Sequence, residues 1–373
     1  MAMRLSFLGG LILLATSGCG LVTTIRGPMH DRCRPLHRHA PSGLLDLKGV
    51  LHCHSHLSHD SEGTVDEISE AAAAAGLDFL VMTDHQTAES VADGVRGFVN
   101  GTLFMVGAEI RTPGGTLLAF PLQSEISAHD NIEGYIEAIH DQGGLAMIGH
   151  AERFRAWDEP TLDGVEVVNL HAQAVAAGRL ELLIRLLVTP LRMVFASLCG
   201  YQRQVLFGLD EHLDEGDWPF PVIGGNDAHA NIRLLGSLGW VIGTYEELFA
   251  CLSTHVLAEG LDQDAIVDAV RRGRTYVVYD LRGEGAGFDF HGHHAGELVL
   301  MGGTAVAGAD TILSVDVPRM AQIRLLCDGE IVAQSTGTEL RFRDPGPGVY
   351  RVEVWQSGRW PWIFSSAIRV TAR

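Results

Sequence analysis

The chain has 373 residues, 46% hydrophobic and 20% charged, which predicts a globular protein of two domains or three rather than a disordered one. Its 27 Lys and Arg against 46 Asp and Glu give a formal charge of −19, which argues against nonspecific binding along nucleic acid but leaves room for a phosphorylated substrate held by metal ions. The single lysine, Lys48, lies in Leu-Lys-Gly and no Gly-x-Ser-x-Gly occurs, which excludes a Walker-type nucleotide machine and disfavours Schiff-base or serine-elbow chemistry.

Residues 5–25 are uncharged and lie between Arg4 and Arg26. The apolar core Leu5–Ala15, followed by Thr16-Ser17-Gly18-Cys19, predicts an export signal over 1–26 and resembles a bacterial lipoprotein signal with Cys19 lipidated. An uncleaved anchor is the alternative, because about 20 apolar residues can cross a bilayer; simple secretion or a misread start is the third. The expected location is the cell envelope, with membrane contact through the N-terminus. Residues 27–46, with Pro28, Pro35 and Pro41, read as a linker containing His30, His37 and His39. Cys33, Cys53, Cys199, Cys251 and Cys327 show neither metal spacing nor a disulfide framework, and read as mostly buried small residues.

From 47 to 282, short apolar runs alternate with helical patterns. Strands are expected at 49–54, 78–85, 102–110, 116–120, 145–150, 164–170 and 220–227, and helices at 65–76, 131–142 and 263–272. This alternation predicts a mostly parallel α/β domain, open or barrel-like. The apolar stretch 180–208 is interrupted by Arg185, Pro190 and Arg192, so it reads as an amphipathic helix pair on the domain, with a membrane contact or site flap as the sharper alternative. After Gly283 the texture changes to alternating strands with turns at Asp328-Gly329 and Pro345-Gly346, predicting a small antiparallel β-sandwich over 284–373. There Trp355, Trp360 and Trp362 are expected to pack, and His291, His293 and His294 to be solvated turn residues.

Chemistry concentrates at the expected strand ends. His52 and His54 are two apart, so both face one side of an extended chain. Asp60 follows in a short polar loop, and the later runs end in His85, Glu109, His150 and Asp227-Ala-His229. In parallel α/β folds those ends share a rim where sites are built. Five imidazoles and three carboxylates exceed what one tetrahedral ion needs, so a cluster of two or three Zn²⁺, Mn²⁺ or Fe²⁺ ions is expected. His56 and His59 alternate with these residues as outer or solvated groups.

The motifs HCHSHLSHDS (52–61), TDH (83–85), GAEI (107–110), GGLAMIGH (143–150) and GGNDAHA (224–230) resemble the polymerase-and-histidinol-phosphatase (PHP) family, nearest its stand-alone metallohydrolase branch of phosphoesterases and a carbaryl-type hydrolase. The resemblance spans roughly residues 48–282. It implies a distorted seven-stranded β/α barrel with His52, His54, Asp60, His85, Glu109, His150, Asp227 and His229 as metal ligands, Glu109 bridging two ions. One departure stands out: Thr116 occupies a position where many members carry a histidine ligand, and His171 is the residue that could compensate.

Clustered ions lower the pKa of a shared water and neutralise charge on an electrophile. The expected function is therefore hydrolysis of a small phosphorylated metabolite, a nucleotide or an oligonucleotide end, with no stable nucleic-acid complex. Asp60 or His229 is expected to pass a proton to the leaving group. Arg153, three residues past His150, could clamp a phosphate or lie idle on the surface, and Glu166 reads as structural. A carbamate, ester or amide hydrolase is the alternative, favoured slightly by the apolar 180–208 stretch. A non-catalytic, metal-containing envelope binding protein is the third reading.

Overall fold

The computed structural model describes residues 38–40, 42–178, 181–182, 184–185, 189–215, 218–229, 232–233 and 241–373. The export segment, Cys19, His30, Cys33 and His37 lie outside them. Among the described residues no helix is long and apolar enough to cross a membrane.

The strand Leu45–Val50 pairs in parallel with Phe79–Met82, which pairs in parallel with Thr102–Val106. Between the first two lies the helix Val65–Ala75, close to the expected 65–76. A capping box fixes its start: the Thr64 hydroxyl accepts the Glu67 N–H, and the Glu67 carboxylate accepts the Thr64 N–H. Alanine suits the helix interior, and Ile68, Ala71, Ala72 and Ala75 are buried.

The run 102–110 forms two strands rather than one. Gly107 separates Thr102–Val106 from Ala108–Thr112, and the chain passes there from one sheet to another. A Cβ at this position would lie 2.5 Å from the Ala119 carbonyl oxygen and 2.9 Å from the Phe120 Cβ, so only glycine fits the crossing. The second sheet runs Val222–Gly225, Val165–Asn169, Leu145–Gly149, Gly115–Phe120, Ala108–Thr112. Its first two pairings are parallel and its last two antiparallel. Ser253–Ala258 is also antiparallel to both its neighbours, Leu45–Val50 and Thr275–Val278.

The expected mostly parallel arrangement is thus corrected to a mixed one. Pro113-Gly114 joins two strands directly, and a parallel crossover needs about a dozen residues, so that pair has to be a hairpin. Leu145–Gly149, Val165–Asn169 and Ser253–Ala258 are buried at every position, as in strands covered on both faces.

Helices form at Ile132–His140 and Gln263–Arg271, inside their expected ranges. The described part of 180–208 contains Leu191–Leu198, which buries Leu191, Val194, Phe195 and Leu198, and the start of Arg203–Glu215. The helix Leu170–Ala177 is not among those expected. It starts directly after a strand because the Asn169 side chain accepts the Ala172 N–H at 2.7 Å.

After Gly283 the antiparallel strands include Asp289–His294, Thr311–Cys327, Glu330–Arg343, Gly348–Gln356 and Trp360–Ser365. Thr311–Cys327 is one long strand of 17 residues. It accommodates Pro318 in a register shift between Asp316 and Ala321. These strands are not a free-standing sheet, because Trp360–Ser365 pairs with Thr275–Val278 and joins both halves into one hydrogen-bonded array. The buried Asp46 carboxylate ties the same junction. It accepts hydrogen bonds from the Tyr276 hydroxyl (2.8 and 2.9 Å) and the Gly287 N–H (3.0 Å), and meets His255 Nδ1 at 2.7 Å. Trp355 and Trp362 are buried, while Trp360 is half exposed under the Arg282 guanidinium. His291 is no solvated turn residue: it lies within Asp289–His294 and is buried. His293 and His294 are on that strand too, on which the exposed end falls. Cys53, Cys199 and Cys251 are buried and Cys327 partly so, all as free thiols.

Candidate metal centre

The strand Leu45–Val50 ends before its histidines, yet residues 52–54 stay extended. The His54 N–H donates to the Ala228 carbonyl and the Asp227 N–H to the His52 carbonyl, both at 3.0 Å, with Cys53 bridged to Ala228. This pairing sets His52 and His54 against Asp227 and His229. A second bridge, His85 to Glu109, brings in the next two strand ends. His150 and Asp227 follow their strands at φ 48° and 50°, a region that costs non-glycine residues roughly 1–3 kcal/mol and recurs at functional sites.

His52 Nε2 lies 3.5 Å from Glu109 Oε2 and 3.4 Å from Asp227 Oδ1; His54 Nε2 lies 3.2 and 3.3 Å from the same two atoms. His52 Nε2, His54 Nε2 and Asp227 Oδ1 are buried and have no hydrogen-bond partner. Such orphaned atoms are costly unless something else satisfies them. A tetrahedral ion with bonds of about 2.0–2.1 Å holds its ligand atoms about 3.3–3.4 Å apart, which matches this spacing. His150 Nε2 reaches Glu109 Oε1 at 3.3 Å, and Asp60 Oδ2 reaches His85 Nε2 at 3.0 Å and His229 Nε2 at 3.3 Å.

All eight expected ligands are thereby brought together, and they divide into two sets of four. One is His52, Glu109, His150 and Asp227; the other is His54, Asp60, His85 and His229. Glu109 stands between them, its Oε1 toward His150 and its Oε2 toward His54 and His85. His171 forms a smaller group with Asp227 and His229, its ring 5.1 Å from that of His229.

Burial is the largest influence on the protonation of these groups, but charged neighbours often outweigh it. Burial would lower His150, yet Glu109 and Glu152 push it up to about 10. Burial would raise Glu109, but His150, His52 and His54 hold it far below the usual carboxylate range. Burial itself, helped by His54, pulls His229 down to about 4, so this imidazole is neutral and free to donate an electron pair.

The structure also places Glu166 and Arg153. Glu166 is not a passive core residue: its carboxylate meets His52 Nδ1 at 2.7 Å and accepts the His150 N–H at 2.8 Å and the Asn169 amide at 3.1 Å. Gly225 makes room for it, since a Cβ there would collide with the Glu166 carboxylate. Asn169 also donates to Asp227 Oδ2 at 3.2 Å. Arg153, by contrast, is not brought into the cluster; its side chain is 70% exposed and leans on Glu152 at 3.8 Å. The arginine beside the ligands is Arg111, two residues after Glu109 on the same strand. It lines a cavity of about 350 Å³ with His59, His85, Glu109 and Tyr135. Gln86 braces that cavity's wall by donating to the Ile126 carbonyl at 2.7 Å and accepting its N–H at 2.8 Å.

No family model matches the chain. A two-domain protein from Bacteroides vulgatus, described as containing a predicted PHP-like metal-dependent phosphoesterase, is 15% identical with a TM-score of 0.43, covering 91% of this chain and 99% of that one. A candidate metal-dependent phosphoesterase from Bifidobacterium adolescentis is 15% identical with a TM-score of 0.30, covering 52% of this chain and 90% of its own. An uncharacterised protein of Methanocaldococcus jannaschii is 30% identical over 150 residues, a match spanning 34% of this chain and 83% of that protein. The chain belongs to the family of this archaeal protein.

Proposed function

We propose that the chain is a metal-dependent hydrolase of PHP type that cleaves phosphoesters of small molecules, with two divalent ions held among the eight residues. The observation that carries this reading is the convergence of His52 Nε2, His54 Nε2, Asp227 Oδ1 and Glu109 Oε2 at metal-ligand spacing, three of them buried without a hydrogen-bond partner. When bound, such ions supply Lewis acidity and a water that ionises near neutral pH. With neutral imidazoles the eight ligands carry three negative charges, so two divalent ions leave a local excess of positive charge suited to an anionic ester.

Arg111 supplies a guanidinium that can take two phosphate oxygens at once, and it supports phosphate over a neutral carbonyl substrate. Asp60, with 33% of its side chain exposed, is the most open of the eight. The two sheets are read as the distorted β/α barrel of the resemblance, and the C-terminal strands as its sandwich partner. Residues 1–26 are read as holding the protein in the cell envelope. The test is a paired assay of protein lacking residues 1–26, using aryl phosphate mono- and diesters against aryl esters and carbamates, with Mn²⁺ or Zn²⁺. Metal-dependent turnover of phosphoesters is expected. Turnover of the carbonyl substrates alone would transfer the site to the carbaryl-type reading, and tight metal with no turnover would favour a binding protein.

A further inference from the structure

A second cluster of metal-type donors lies in the antiparallel half, outside the centre just described. Asp289 and His291 are two apart on the strand Asp289–His294, so both project to one face. Asp316 stands directly opposite Asp289 on the neighbouring strand, where two like charges are destabilising. Donor atoms of the three residues all lie within 4.8 Å of one another.

Two features set this cluster apart from an ordinary ion pair. The Asp289 side chain is 1% exposed, and its Oδ1 has no hydrogen-bond partner, whereas Oδ2 meets His291 Nδ1 at 2.5 Å. Leaving a buried carboxylate oxygen unsatisfied beside a second carboxylate carries a desolvation cost that one imidazole does not remove. Asp316, meanwhile, is oriented from outside: Arg341 Nη2 donates to its Oδ1 at 2.8 Å and its Oδ2 at 3.1 Å. Outer partners of this kind commonly fix ligating carboxylates. The register shift that begins after Asp316 marks where regular pairing gives way, as bulges do where a side chain is re-aimed.

We propose that Asp289, His291 and Asp316 form a separate site for one divalent transition ion, completed by water, that clips Asp289–His294 to Thr311–Cys327. The donor set of two carboxylates and an imidazole suits Zn²⁺ or Mn²⁺. The ion replaces the repulsion across the strand pair with coordination, and its role is structural. This site is independent of the hydrolase reading.

The test loads the mature chain with excess Zn²⁺ or Mn²⁺, removes free ion by gel filtration, and counts bound ions by mass spectrometry. Asp289→Asn and His291→Gln should each lose one ion per chain relative to wild type and lose part of the metal-induced rise in melting temperature. His52→Ala is expected to keep that part of the rise, because the C-terminal clip remains. His291→Gln, which alters the less buried donor, keeps the test readable should Asp289→Asn fail to fold. An unchanged ion count and an unchanged metal-induced rise in the folded variants would overturn the proposal, leaving Asp289 and His291 as an ion pair within the sheet.

Discussion

Glu166→Gln tests whether the metal centre depends on the carboxylate behind it. In the native site, Glu166 faces three groups: the His52 ring nitrogen, the His150 N–H and the Asn169 amide, at 2.7, 2.8 and 3.1 Å. Glutamine keeps the shape but has one oxygen and one NH₂. If its oxygen serves His150 and Asn169, its NH₂ faces His52 Nδ1, which must then accept. The ring proton moves to Nε2, the nitrogen aimed at Glu109 and Asp227, and a protonated nitrogen cannot ligate. If the amide is flipped, two buried bonds are lost instead. Either outcome weakens the site, and loss of such an outer partner typically costs about 10- to 100-fold in metal affinity, or roughly 1.4–2.7 kcal/mol. Calorimetric titration of metal-free protein with Mn²⁺ should show that drop, while hydrolysis recovers at high Mn²⁺. Wild-type affinity in a correctly folded variant would show that Glu166 does not set the His52 tautomer, and the reasoning would fail.

Arg111→Ala should lower kcat/KM for an aryl phosphate by about 10- to 100-fold, the worth of a charged hydrogen bond of about 1.5–3 kcal/mol, mainly through KM; an unchanged KM would remove Arg111 from substrate binding. Chelation of wild-type protein should abolish hydrolysis and Mn²⁺ should restore it; a rate indifferent to chelator would refute a metal-based reaction. Asp46→Asn should destabilise the fold by about 3–5 kcal/mol, because it breaks a buried charged group away from His255 and Tyr276. Burial would raise the Asp46 carboxyl, but His255, the Gly287 N–H and Tyr276 together hold it below its ordinary value. Its stabilisation is therefore present above the unfolded-state pKa of about 3.9 and is lost as pH falls through the lower folded-state value. Urea unfolding should show the wild-type advantage at pH 6 and its decline below about pH 4; an advantage that grows on acidification would contradict the sign.

What the sequence disclosed was what repeats locally. Seven of the eight candidate ligands sit at or just past an apolar run and Asp60 in the polar loop after the first, so the pattern gathered them without any knowledge of pairing. Glu166 escaped because it lies inside GVEVV, among buried valines, and its contact with His52 bridges 114 positions of chain. Arg153 attracted attention by its distance from His150 along the chain, but the turn after His150 sends its side chain outward. Period-2 spacing places Arg111 on the same strand face as Glu109, a signal the sequence carried. The division of 102–110 at Gly107 and the joining of both halves through Thr275–Val278 depend on contacts with Ala119, Phe120 and Trp360–Ser365 that no local window contains.

The threonine at 116 is best understood together with Arg111. The two are direct cross-strand partners, and Thr116 also pairs with Gly149, next to His150. Partners of this kind hold their Cβ atoms about 4.5–5.5 Å apart. A histidine at 116 holding an ion would place two positive charges near the Arg111 guanidinium. Like charges held at the ends of these two side chains repel each other across the strand pair. On the proposed reading, arginine at 111 and a third ion at 116 are alternatives, the one offering the substrate fixed positive charge and the other offering it through a metal. Thr116→His alone should leave the number of bound ions unchanged, while Thr116→His combined with Arg111→Ser should add one. Ion counts by mass spectrometry decide between them. A third ion in the single variant would show that Arg111 does not exclude it, and the pairing of these two positions would lose its explanation.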